Sequence, residues 1–154
     1  MAFKFRIMTQ AQAEYIAFNW HYDGPYAFYD MEADQEDLEE FLDAEKRENT
    51  MFAVTQEEDL VGFFGFSNTA ESVYELSLGL RPDLTGKGSG LEFLKAGLDF
   101  VQSEYSTQKI MLSVAIFNKR AIKVYRKIGF KDVETFMQKT NGGTYEFLRM
   151  EYIV

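Results

Sequence analysis

The feature that most constrains the fold of this chain is a glycine-rich stretch between a strand-like run and a helix-like run. Gly86, Gly88 and Gly90 alternate after the strand-like residues 73–80, and an apolar stripe at helical spacing begins at Leu91. Glycines in this arrangement free backbone N–H groups to close around an anion at the positive end of a helix dipole. Because every glycine costs backbone entropy, a plain turn would not need so many. The stretch therefore predicts an anion-binding loop, with phosphate as the expected anion.

Two nucleotide-binding motifs do not fit this loop. A Walker A loop needs glycine where the chain has Arg81, and serine or threonine where Gly88 follows Lys87. A dinucleotide motif needs a third glycine where the chain has Leu91. The acidic residue that would bind a ribose is also missing from the next strand-like run, 110–116. Neither a P-loop nor a Rossmann site is therefore predicted.

Composition narrows the class of protein. A chain of 154 residues without repeats or linkers is expected to form a single domain over 1–154. A formal charge of −9 argues against nucleic acid as a partner, and no apolar run is long enough to span a membrane. The chain has no cysteine and one histidine, His21, so neither a metal site nor a cysteine nucleophile is expected. With no signal-peptide layout at the N-terminus, a cytoplasmic location is expected.

Hydrophobic periodicity predicts a mixed α/β fold of seven strands and four helices in the order β-α-α-β-β-β-α-β-α-β-β. The predicted strands cover residues 3–8, 51–56, 60–67, 73–80, 110–116, 130–138 and 144–153. The first helix begins with a capping box at Thr9–Gln12, and the second covers roughly 34–48. The third helix follows the glycine loop, and the fourth runs from Asn118 to Gly129. An aromatic-rich loop, 21–31, separates the first two helices.

Two segments resemble motifs of the GNAT N-acetyltransferase family. The run Thr85-Gly86-Lys87-Gly88-Ser89-Gly90 is similar to the family's loop for the pyrophosphate of acyl-CoA, which is usually Gln/Arg-x-x-Gly-x-Gly/Ala. Residues 118–130 resemble the family's downstream segment Asn-x-x-Ala-x-x-x-Tyr-x-x-x-Gly-Phe. Thr85 departs from the pattern, because the family prefers Gln or Arg there. Since backbone N–H groups do most of the phosphate binding, the expected consequence is weaker affinity for CoA rather than loss of function.

The resemblance implies a fold, a cofactor and a reaction. The fold would be a central mixed, mostly antiparallel seven-stranded sheet, splayed between strands four and five and flanked by four helices. Acetyl-CoA would be the acyl donor, and the acetyl group would pass directly to an amine in a ternary complex. The resemblance further implies a set of donor-binding residues: the strand backbone at Leu78, Gly79 and Leu80, with Leu78 N–H facing the thioester oxygen; the loop Thr85, Gly86, Lys87, Gly88, Ser89 and Gly90; and Asn118. Lys87 could contact a phosphate or be a solvated loop charge, and Arg120 and Lys123 are candidates for the adenosine phosphates in the same way.

Two residues are candidates for catalysis. Tyr125 lies on the apolar stripe of its helix, which by itself favours packing, but the family segment implies a general acid that protonates the departing thiolate. Glu75 lies on the less apolar face of the strand 73–80, where it could act as the base, directly or through water, or could have only a structural role. Asn118 is an expected helix N-cap by residue type and a CoA contact by resemblance.

The aromatic-rich loop is the expected border of the acceptor site. Trp20, Tyr22, Tyr26 and Tyr29 could surround a cationic or aromatic amine, or could simply pack as a connection. The predicted function is therefore N-acetyl transfer from acetyl-CoA to a primary amine of a small molecule or a protein. A non-catalytic acyl-CoA-binding regulatory module is the alternative. Sheets of this type often pair at their exposed edges, so a homodimer is a further expectation.

Overall fold

A single seven-stranded sheet organises the chain, in the strand order β1-β2-β3-β4-β5-β7-β6. The computed structural model describes residues 2–154. The strands are β1 (Lys4–Ile7), β2 (Met51–Gln56), β3 (Asp59–Ala70), β4 (Val73–Leu80), β5 (Lys109–Ala115), β6 (Lys131–Thr140) and β7 (Gly143–Ile153). The α-helices are α1 (Gln10–Asn19), α2 (Gln35–Leu42), α3 (Ala44–Arg47), α4 (Ser89–Glu104) and α5 (Lys119–Ile128). This confirms the predicted mixed α/β class.

The second predicted helix differs from the expectation, because the region 34–48 forms two helices. Asp43 separates α2 from α3, and its carboxylate accepts hydrogen bonds from the backbone N–H groups of Glu45 and Lys46. An aspartate satisfies the free N–H groups at a helix start better than it fits a helix interior, so the chain restarts there. No helix within the described residues is both long and apolar enough to cross a lipid bilayer.

Helices cover both faces of the sheet and bury two hydrophobic cores. The larger core lies under α4 and α5 and includes Phe64, Phe93, Leu98 and Ile122. The smaller core lies under α1 and α2 and includes Ile16, Trp20, Phe41, Phe63 and Ala53. The sheet therefore has one face towards α4 and α5 and the other towards α1 and α2.

Gly97 allows α4 to lie close against the sheet. The fully buried ring of Phe64 fills the space that a Cβ on Gly97 would need. We therefore expect Gly97→Ala to lower the free energy of unfolding by about 1–3 kcal/mol, because the buried ring has little room to move. Urea denaturation measures this change. An unchanged midpoint would show that Phe64 repacks freely and that α4 does not depend on this contact.

The sheet opens between β4 and β5, its one parallel pair within the described residues. These strands pair only at Val73 with Lys109, Tyr74 with Ile110 and Glu75 with Met111. Beyond these positions β4 continues to Leu80 and β5 to Ala115 without pairing to each other. The predicted splay between strands four and five is therefore confirmed, and we call the resulting gap the β4–β5 cleft.

Candidate active site

The last residues of β4 present free backbone groups to the β4–β5 cleft. Arg81 N–H donates to the Val61 carbonyl of β3 at 2.8 Å. Backbone groups of successive residues in an antiparallel strand alternate in direction, so Gly79 also faces β3, while Leu78 and Leu80 face the cleft. The Leu80 carbonyl accepts a hydrogen bond from the Tyr22 hydroxyl at 2.8 Å. The groups left for an extended, amide-containing ligand are therefore the N–H and C=O of Leu78 and the N–H of Leu80.

The glycine loop follows β4 after one 3₁₀ turn, Pro82–Leu84. Gly86 and Gly88 have φ angles of +73° and +83°, in the left-handed region where residues with a side chain are strained. Gly88 is the N-cap of α4 and offers no side-chain cap. The N–H groups of the first turn of α4 therefore point outwards without an intrahelical acceptor. A loop of this geometry can bind an anion.

Gly90 leaves open space at the start of α4. It lies in the first turn of α4, its φ is not in the left-handed region, and an added Cβ would meet no protein atom within 4 Å apart from its chain neighbours and the backbone of its own helix. Nothing inside the described part of the chain therefore requires glycine at this position. Open space directly in front of a helix N-terminus is what a closely approaching phosphate needs.

Thr85, at the start of the loop, uses its side chain internally. Its hydroxyl donates to the Pro82 carbonyl at 2.7 Å and so closes the preceding 3₁₀ turn. Lys87, two residues further on, is exposed in the loop, and its charge contributes to lowering the pKa of Asp83, although the hydrogen bond from Arg81 is the larger cause. Thr85 therefore shapes the loop, and Lys87 is free to reach an anion.

Asn118 caps α5 on the β5 side of the cleft. Its side-chain oxygen accepts a hydrogen bond from Ala121 N–H at 3.2 Å, which confirms the predicted cap. Its amide nitrogen donates to the hydroxyl of Tyr29 at 3.2 Å. The side chain thus joins the start of α5 to the segment between α1 and α2.

Arg120, two residues further along, approaches the glycine loop from α5. Its guanidinium carbon lies 4.2 Å from the centre of the Tyr26 ring, and its Nη1 lies 3.0 Å from the position of a Cβ on Gly86. Lys123 is exposed on the next turn of α5. The structure therefore brings Arg120 to the loop.

Tyr125 is half-buried on α5 and packs against the larger core, with its ring centroid 5.9 Å from that of Phe130. Its surroundings raise the pKa of its phenol above the ordinary value; burial is the main cause and nearby Tyr29 adds to it. The hydroxyl has no hydrogen-bond partner among the described residues. The Tyr125 phenol therefore keeps its proton at neutral pH, and its hydroxyl is free to donate a hydrogen bond.

Glu75 lies at the last paired position of β4, where the cleft begins. It is exposed on the face of the sheet towards α1 and α2, opposite Ser67 on β3 and Met111 on β5. The larger core contains the residues on either side of it in β4, so Glu75 and Tyr125 belong to opposite faces of the sheet. No ion pair to Glu75 is present within residues 2–154.

The aromatic-rich loop is ordered by 3₁₀ turns at Gly24–Tyr29 and Met31–Ala33. Residues 22–29, here called the bridging segment, join the two sides of the cleft, because Tyr22 bonds to Leu80 of β4 and Tyr29 bonds to Asn118 of α5. Trp20, by contrast, is only 4% exposed and packs in the smaller core.

Several residues that hold the bridging segment were not among the predicted site residues. Asp30 accepts hydrogen bonds from Tyr22 N–H at 2.8 Å and from His21 Nδ1 at 3.1 Å. The bond between His21 and Asp30 is the main cause that raises the pKa of His21. Phe28 packs against Phe117 and against two aromatic rings of β7. The aromatic content of residues 21–31 fits either a packed connection or an acceptor site, and it could not show the partners on β7.

A separate open pocket of about 320 Å³, here called the loop pocket, lies between the bridging segment and the glycine loop. It is lined by residues from both: Tyr22, Asp23, Tyr26, Pro82, Asp83, Thr85, Lys87 and Arg120. Two cations, Lys87 and Arg120, thus stand at the entrance of the glycine loop.

A sheet that splits beside a glycine loop at a helix start is the arrangement that the sequence resemblance implies. Residues 3–131 match the family model described as the acetyltransferase (GNAT) domain. The chain belongs to the GNAT acetyltransferase family, which confirms the resemblance seen in the sequence.

Two curated relatives are similar to parts of the chain. A mycothiol acetyltransferase from Saccharomonospora viridis is 38% identical over 65 residues, which cover 42% of this chain and 21% of that protein. An N-alpha-acetyltransferase from Sulfurisphaera tokodaii is 25% identical over 99 residues, covering 56% of this chain and 59% of that protein. The chain thus spans less than two thirds of the length of either relative.

Solved structures share the fold over nearly the whole chain. A GNAT-family acetyltransferase from Bacillus anthracis has a TM-score of 0.76 at 20% identity, covering 98% of this chain and 94% of that one. Spermidine N-acetyltransferase from Vibrio cholerae, in complex with CoA and spermine, has a TM-score of 0.72 at 20% identity, covering 98% and 95%.

Proposed function

We propose that this protein transfers an acetyl group from acetyl-CoA to a primary amine of a small molecule or a protein. The observation that supports this most is the adjacency of two features: an open glycine loop at the start of α4, and unpaired backbone groups of β4 in the β4–β5 cleft. Acyl-CoA needs both, one for its pyrophosphate and one for its amide-containing pantetheine arm. A plain phosphate site would need only the loop.

The donor would be bound mainly by backbone groups. The N–H groups from Gly86 to Gly90 would hold the pyrophosphate, with Lys87 close by. Leu78 and Leu80 would pair with the pantetheine arm, and Leu78 N–H would polarise the thioester oxygen. When bound, acetyl-CoA supplies the activated acetyl group. Because Thr85 spends its hydroxyl on Pro82, we still expect a lower affinity for CoA than a Gln or Arg at this position would give.

Tyr125 would supply a proton at the thioester sulfur. Its raised pKa keeps the phenol neutral at physiological pH, and its hydroxyl has no competing protein acceptor. As the C–S bond breaks, the phenol O–H donates to the sulfur, and the phenolate recovers a proton released by the amine nitrogen as the new C–N bond forms. Atoms and charge balance, because one proton moves from the amine to the thiol.

Glu75 is proposed to deprotonate the ammonium form of the acceptor before transfer, directly or through water, since it is an exposed carboxylate without an ion pair at the start of the cleft. We expect Glu75→Gln to lower kcat about 10²-fold at neutral pH and to shift the pH–rate profile to higher pH. The matched control is Glu71→Gln, which removes the same charge from the exposed β3–β4 turn. It should change neither kcat nor the pH–rate profile. An unaltered profile for Glu75→Gln would assign the proton to solvent water.

The acceptor is proposed only as a primary amine, because the named relatives and neighbours differ in theirs. The test is thiol release from acetyl-CoA with polyamines, amino acids, lysine peptides and peptides with free N-termini. Release with at least one of these classes supports the proposal. Calorimetry that detects no acetyl-CoA binding would overturn it, and binding without turnover on any amine would favour the regulatory module.

Two finer features belong to the same proposal. We place the reaction in the cytoplasm, where acetyl-CoA and free amines are both available.

We also propose that two copies associate, since β6 is an edge strand with exposed apolar side chains at Val133 and Met137, which are 47% and 62% exposed. Sedimentation or light scattering would measure the oligomeric state.

A further inference from the structure

The contact between Tyr26 and Arg120 connects the bridging segment to the glycine loop. The guanidinium of Arg120 stacks on the Tyr26 ring at 4.2 Å, a distance typical of a cation–π interaction. The same guanidinium lies against Gly86, close enough that a Cβ on that glycine would be 3.0 Å from Nη1. Tyr26 thus supports the Arg120 guanidinium where it adjoins the glycine loop.

The Arg120 charge is not neutralised by a carboxylate. No ion pair to Arg120 is present within residues 2–154, although Asp83 lines the loop pocket together with Arg120. Asp83 is instead held by Arg81, whose Nε lies 2.6 Å from the carboxylate. A guanidinium that stacks on a ring and has no counterion, next to a loop of free N–H groups, can bind an anion.

We propose that Tyr26 is a positioning residue of the donor site, which holds Arg120 over the glycine loop to bind the pyrophosphate of CoA. The inference rests on the proposed function. It moves Tyr26 from the expected acceptor side to the donor side. It also gives Arg120 the pyrophosphate, in place of the adenosine phosphates that the sequence suggested. An arginine side chain without this support would have to lose more conformational freedom when it binds.

Calorimetry with CoA tests the proposal without relying on turnover. Tyr26→Leu removes the ring and should weaken CoA binding about threefold to fivefold, whereas Tyr26→Phe keeps the ring and should bind CoA as the wild type does. Arg120→Gln should weaken binding about tenfold or more. The matched control is Tyr15→Leu, at a tyrosine of α1 that is 56% exposed, and it should bind CoA like the wild type.

A double variant separates positioning from general packing, because Tyr26 also contacts Phe117. In the Arg120→Gln background, Tyr26→Leu should add less than about a twofold loss, since its effect passes through the guanidinium. S-acetylpantetheine, which lacks the pyrophosphate, should show the same kcat/KM with wild type and Tyr26→Leu.

The outcomes are distinguishable. If wild type does not bind CoA, the proposed function fails. If wild type binds CoA but Tyr26→Leu binds it equally well, the positioning role fails while the function stands. The positioning role also fails if Tyr26→Leu weakens binding by the same factor with and without Arg120.

Discussion

Tyr125→Phe is expected to lower kcat about 10²-fold while leaving the Kd for acetyl-CoA within about twofold of the wild-type value. The substitution removes one oxygen that has no protein hydrogen bond, so the larger core should keep its packing and the melting temperature should hardly change. Thiol release gives the rate, and calorimetry gives the binding constant.

Tyr105→Phe is the matched control. Tyr105 is also a partly buried tyrosine whose pKa is raised by burial, but it follows the C-terminal end of α4 and stacks on Tyr74. Its substitution should leave kcat unchanged. An equal kcat for Tyr125→Phe and wild type would remove Tyr125 from the chemistry.

The pH dependence follows from the direction of the Tyr125 shift. Because burial raises the pKa of this phenol above its ordinary value of 10.0, the proton stays on as the pH rises through 10. The rate should therefore increase as the amine deprotonates, and no loss of activity below about pH 10 should come from Tyr125.

Gly90→Glu is expected to affect stability and binding in opposite directions. A better helix former with a negative charge in the first turn of α4 should raise the free energy of unfolding by about 0.5–1 kcal/mol. The same carboxylate would stand in the open space before the helix start and repel the pyrophosphate, so CoA affinity should fall about 100-fold or more. Urea denaturation and calorimetry measure the two effects.

Gly90→Ala is the matched control at the same position. It adds only a methyl group, which meets no protein atom within 4 Å, so stability should rise slightly and CoA affinity should fall only a few-fold. If the glutamate variant bound CoA within twofold of wild type, the pyrophosphate would not lie at this loop.

Local features of the fold were predictable because their causes lie close together in the sequence. The Thr9 capping box, the Asn118 cap and the glycine loop are each decided within a few residues, and all are present. The helix over 34–48 was predicted too long, because an apolar stripe at Leu38, Phe41 and Leu42 outweighed the capping tendency of Asp43.

Contacts across the cleft could not be predicted in the same way. The Tyr22–Leu80 bond joins residues 58 positions apart, and the Tyr29–Asn118 bond spans 89 positions. A lone sequence shows which residues can donate or accept, but it does not show which distant partners meet when the sheet forms. The aromatic residues were expected to border the acceptor site, and the sequence did not show that three of their tyrosines contact Leu80, Arg120 and Asn118.

The bridging segment has a consequence for engineering the substrate range of the proposed activity. Tyr22, Tyr26 and Tyr29 each touch β4 or α5, so changing any of them to accept a new amine would also disturb the donor. Ala27 lies in the same segment, is exposed, and carries only a methyl group. Substitutions that alter acceptor choice at constant acetyl-CoA affinity should therefore begin at Ala27.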